Sequence, residues 1–119
     1  MTKIYLIIHD DRDYDVGSET PLAAYRTYAE AGSIATILNE AALSIRVSYK
    51  KKEKAHVQFG YHHKSLTEWG DINAKIREEN KALGEALFNK LTLPEGLGIT
   101  AEMLLDTATG FNVLEVPLL

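Results

Sequence analysis

Hydrophobic and polar positions change their period several times along the chain, and each change marks an element. Ile4 to Ile8 is apolar at every position, as in a central strand covered on both faces. A polar, acidic stretch containing Gly17 follows, and Pro21 opens Leu22 to Arg26, which suits an edge strand. Thr27 and Glu30 form a capping box, the hydroxyl taking a free amide while the carboxylate reaches back. Behind it Ala31, Ile34, Ala35, Leu38, Ala41 and Ala42 recur at steps of three and four, predicting a helix that ends near residue 42. The period then drops to two. Leu43, Ile45, Val47 and Tyr49 alternate with polar residues and, past a charged tip at 51–54, so do Ala55, Val57, Phe59 and Tyr61. This predicts a hairpin with one wet face, its lysines guarding against stray edge pairing.

Ser65 and Glu68 form a second capping box. Trp69, Ile72, Ile76, Leu83, Leu87 and Leu91 mark the apolar side of a helix of about seven turns. Glu79 and Asn80 break that stripe, so their turn is either exposed or faces something polar. Pro94, Gly96 and Gly98 stop the helix, Thr100 caps a short one running to Asp106, and Phe111 to Val116 forms a last strand before Pro117. The order predicts an α+β fold: a ferredoxin-like βαββαβ sandwich with an antiparallel sheet, a long second helix and an extra short edge strand. One domain over residues 1–119 is expected. In an alternative topology the first strand pairs with 22–26 and 111–116, leaving hairpin and long helix as an appendage.

Composition narrows this picture. A chain of 119 residues supports one core and not two. An apolar content of 45% with 25% charged residues argues against disorder. With no cysteine, disulfides, zinc–thiolate sites and thiol nucleophiles are excluded. No apolar window approaches the ~18 residues of a membrane span. The first apolar run is too short for a signal peptide and leads into His9-Asp10-Asp11, so a cytoplasmic location is expected. The net charge of −4 is unevenly spread: residues 9–40 and 65–119 are acidic, while Arg46, Lys50, Lys51, Lys52, Lys54 and Lys64 make the middle basic. Such a surface orients partners more than it attracts them.

Three groups of residues invite chemistry. Asp10, Asp11, Asp13 and Asp15 alternate as calcium or magnesium ligands do. Counted from Asp11, however, the sixth and twelfth positions are Val16 and Leu22, where a calcium loop needs Gly and Glu. A solvated loop is the plainer reading, with a metal-dependent hydrolase or nuclease as the alternative. His56, His62 and His63 lack zinc-ligand spacing and read as surface histidines. The basic residues stand among Tyr49, Phe59 and Tyr61, a composition that can bind nucleic acid. The alternation places those aromatics in the core, and the acidic flanks repel a long polyanion, so nucleic acid ranks below protein as a partner. With no nucleophile elbow and no phosphate-cradling glycine loop, neither catalytic residue, metal nor cofactor is assigned, and the chain is not expected to be an enzyme.

The stretch from Ile4 to Asp10, Thr27-Tyr28-Ala29-Glu30-Ala31 and Phe111-Asn112-Val113-Leu114-Glu115-Val116 together resemble small phage and prophage accessory proteins. Those open on an apolar strand, carry a T-x-x-E-A helix opening and close on an alternating strand. The resemblance covers half the chain and implies an accessory role, one form of which is inhibition of a bacterial defence system such as a CRISPR nuclease. The expectation is a non-catalytic protein-binding module acting on a host complex in the host cytoplasm, with homo-oligomers compatible. Its predicted contact residues are Arg46, Lys50, Lys51, Lys52, Lys54, His56 and His62 on the hairpin, with Asp10, Asp11, Asp13 and Asp15 in the acidic loop.

Overall fold

The apolar run at the start of the chain becomes the middle strand of the sheet. A computed structural model describes residues 2–11, 18–59, 65–106 and 109–118. Strand β1 (Thr2–Asp11) lies between β2 (Ser18–Tyr25) and β3 (Thr109–Leu118), both antiparallel to it. The register slips by one residue between Ile7 and Ile8, where the chain around Pro21 and Leu22 bulges. Pro21 and Pro117 therefore both lie on edge strands, where a missing amide is tolerated.

Thr27 caps α1 (Tyr28–Lys52), its hydroxyl accepting from the Glu30 amide at 3.2 Å. This helix covers one sheet face. Ala31, Leu38, Ala42 and Ile45 form a buried core with Ile7, Phe111, Leu97 and Leu104. Small alanines let helix and sheet approach closely. Asn39, on the same helix, accepts from the Phe111 amide at 3.1 Å and donates to its carbonyl at 2.9 Å, which satisfies the outer rim of β3.

The predicted hairpin is not there. Helix α1 runs on through residues 43–52, ten residues past its expected end. Ile45 and Tyr49 are one pair at i and i+4, facing inward; Leu43 and Val47 are another, facing out and exposed. Two such pairs on opposite sides of a helix mimic a period of two. Lysines 50–52 then sit in the last turn, where the helix dipole favours cations. The observed fold is thus α+β with a three-stranded antiparallel sheet, without the four strands of a ferredoxin-like sandwich. Its strand order is that of the alternative topology.

Ser65 caps α2 (Leu66–Asn89), accepting from the Glu68 amide at 3.1 Å, and Thr100 caps α3 (Ala101–Leu105), accepting from the Met103 amide at 3.2 Å. Gly96 and Gly98, at φ of 80° and 67°, make the turn between them in a region side chains rarely enter. Gly84 admits α3 closely: a β-carbon there would stand 2.8 Å from a Leu105 methyl. No helix among the described residues is long and apolar enough to cross a membrane.

The molecule measures 69 × 33 × 19 Å, with a radius of gyration of 18.7 Å. A compact chain of this length would have about 13–14 Å. Its length comes from α2, whose first half extends past the end of α1.

Candidate functional site

The segment between α1 and α2 folds back along α2 as an extended strap, and the two form an arm. Asn80 holds the Lys54 backbone from both sides, accepting from its amide at 2.8 Å and donating to its carbonyl at 2.9 Å. Asn73 does the same for Val57, at 3.0 and 3.1 Å. The Val57 carbonyl also accepts from the Trp69 indole at 2.8 Å. A side-chain amide carries the donor and acceptor of a peptide group, so each asparagine acts as one rung of a β-ladder. The spacing follows from geometry. Seven residues of helix and three of extended chain both advance about 10 Å, so Asn73 and Asn80 meet Val57 and Lys54 in step. The same arithmetic carries Phe59 to Trp69, where the rings meet edge to face at 6.0 Å.

Both asparagines are buried, and a buried amide without partners is costly, so the strap and helix depend on each other. Lys54 and Glu79 add an ion pair beside Asn80. The Lys54 ammonium, donating to Glu79, holds that carboxyl below its usual range of about 4.5. The turn that breaks the apolar stripe of α2 therefore does face something polar: the main chain of the strap. At the other end of the arm, Phe59 is 56% exposed and Leu66, in the first turn of α2, is 66% exposed.

The described members of the predicted contact set fall on α1, the strap and the end of β1. Lys50, Lys51 and Lys52 share one helical turn and are exposed, as is His56 on the strap. Arg46 is absorbed into the fold, its guanidinium donating to the Leu104 carbonyl at 2.7 Å and to that of Asp106. Lys54 turns to Glu79. Asp10, at the far end of β1, accepts from the Asn112 amide at 3.3 Å. Beside it the His9 ring tilts against Phe111 at 5.2 Å, and its Nε2 is buried with no hydrogen-bond partner among the described residues. Asp11 ends the strand, while Asp13, Asp15 and His62 lie outside the described residues. About 16 Å of α1 separates Asn39, which holds Phe111 near Asp10, from Lys50.

Tyr49 departs from its expected hairpin position as well. It packs toward Gly84, and burial together with nearby Glu53 raises its pKa above 10.0. An open groove of about 600 Å³ runs between α2 and α3 beside it, lined by Tyr49, Lys81, Glu85 and Thr100 among others. Asn39, Asn73, Asn80, Phe59 and Leu66 were not among the predicted site residues. The one sequence signal for the clamps was two asparagines seven apart on a helix whose apolar stripe they interrupt. Family models, curated proteins and solved structures offer no match to this chain.

Proposed function

We propose that this chain is a non-catalytic protein-binding module that engages its partner through the arm. One observation carries the reading: a helix and strap extend about 20 Å past the end of α1, with Phe59 and Leu66 bare at the far end. An arm without an apolar core of its own stays ordered by main-chain clamps, which leaves its apolar side chains free for a partner. Aromatic anchors of this kind dominate protein interfaces. Lys50, Lys51 and Lys52 at the end of α1, where the arm begins, and His56 on the strap would set orientation and association rate. The resemblance to phage accessory proteins makes a bacterial defence complex the first partner class to test.

The test is affinity capture from bacterial lysate, followed by reconstitution with the purified partner. The intact chain should recover a stoichiometric protein that Phe59→Ser and Leu66→Ser variants lose by ten-fold or more in affinity. A partner that binds both variants unchanged, or none at low and moderate salt, would overturn the reading. A second reading is a weak single-strand nucleic-acid binder, favoured by the exposure of Phe59 where inward packing was expected. It requires a salt-dependent gel shift that Phe59→Ser abolishes.

A further inference from the structure

We infer that two copies of this chain pair weakly and antiparallel through the outer face of α1. On the side of the helix turned away from the sheet, Leu43 and Val47 stand one turn apart, 64% and 48% exposed. An exposed leucine alone means little. Here the apolar pair is bracketed by charge: Glu40 lies one turn before Leu43 and Lys50 one turn after Val47, both exposed. The four positions are spaced three, four and three residues apart, as in the a/d seam of a coiled coil. Neither Glu40 nor Lys50 forms an ion pair among the described residues. Core and arm both attach to the opposite side of the helix: Ala31, Leu38, Ala42 and Ile45 are buried there, and Tyr49 meets Gly84 of α2 there.

The spacing selects the occupant. Three, four, three reads the same in both directions, so a two-fold axis beside Ile45 sets every member of the group against another member. Leu43 then meets Val47 of the second copy, and Val47 meets its Leu43, so the apolar pair alone fixes the register. That register places Glu40 opposite Lys50 of the second copy, twice over, with no further choice. A parallel pair would set Glu40 on Glu40 and Lys50 on Lys50, like charges together. A foreign protein would need a matching sequence of its own; a second copy already carries one. Antiparallel helices also oppose their dipoles. The seam from Glu40 to Lys50 is about 15 Å long. Such a contact stays at or below about 1,200 Å², the small end of specific interfaces, so the dimer is weak and dissociates in the micromolar range. The arm tips are not used, so this surface is distinct from the proposed partner site.

Sedimentation velocity on the full chain from about 10 to about 500 μM tests the pairing. The weight-average mass should rise from that of the single chain toward twice it. Leu43→Asp, at an exposed position, should hold it at the single-chain mass with unchanged circular dichroism. Charge reversal tests the register. Glu40→Lys alone and Lys50→Glu alone each bring like charges together in the homodimer and should weaken it about ten-fold or more. Mixed in equal amounts, the two variants restore both opposite-charge pairs and should associate about as tightly as the parent chain. A chain that stays monomeric at the highest concentration leaves the face to some other protein and overturns the proposal. So does association that survives Leu43→Asp, or swapped chains that associate no better mixed than apart.

Discussion

The two ends of this molecule are held together by different means. In the head, α1 lies on the sheet through side chains: Ile7, Leu38, Leu104 and Phe111 are sealed from solvent. In the arm, the strap lies on α2 through its main chain, gripped by Asn73, Asn80 and the Trp69 indole. Side-chain packing makes a cooperative core, in which loss of one part is felt throughout. A few clamps on a backbone make a local contact that opens by itself. The head should therefore unfold as a unit and the arm should open before it.

The strongest blow to that contrast should come from Phe111→Ala, which empties the centre of the head while leaving the main-chain clamp of Asn39 in place. We expect a loss of about 3–5 kcal/mol in urea denaturation followed by circular dichroism. Arm and head should then melt together, because the head carries the arm. Asn73→Ala and Asn80→Ala probe the other side. Each strands a peptide group of the strap, at a local cost of about 1–3 kcal/mol. Trp69 is the single tryptophan and sits in the arm, so its fluorescence should change at lower urea than the dichroism does. Amide exchange at Lys54 and Val57 should accelerate while that at Ile7 stays slow. If the two signals move together in these variants, the arm is part of the head's cooperative unit and the contrast fails.

The smallest effect concerns pH. Glu79 titrates below about 4.5 because Lys54 stabilises its charged form. A carboxyl depressed by folding lends stability above its unfolded pKa, and that stability is lost as pH falls through the folded value. The pair is exposed, so its contribution is small and screened by salt. Carbon-detected titration of Glu79 should show the depression, and Lys54→Met should remove it. An unchanged midpoint in that variant would detach the ion pair from the strap.

Much of the head was legible because its signals are local. Capping boxes at Thr27 and Ser65 start helices where expected, the apolar run from Ile4 is a central strand, and Phe111 to Val116 lies in the last one. Residues 43–49 misled for a definite reason: two helical pairs on opposite faces imitate a strand, and no glycine or proline separates residue 42 from 52. With the hairpin went the strand face on which Arg46, Lys50 and His56 were expected: Arg46 and Lys50 stand one turn apart on α1, and His56 lies on the strap. The arm was illegible because its contacts use backbone atoms, which every residue carries. Only the asparagines could have shown it, and an asparagine on a helix is ordinarily just a weak helix former.

A grip on peptide groups is indifferent to what the gripped residues are. Ala55, His56 and Gln58 could be replaced widely without loosening the strap, because the amides that Asn80 and Asn73 require belong to Lys54 and Val57. The arm is therefore a framework holding a variable text. Its recognition properties can drift, or be engineered by randomising those positions, while Asn73 and Asn80 stay fixed and the architecture is kept.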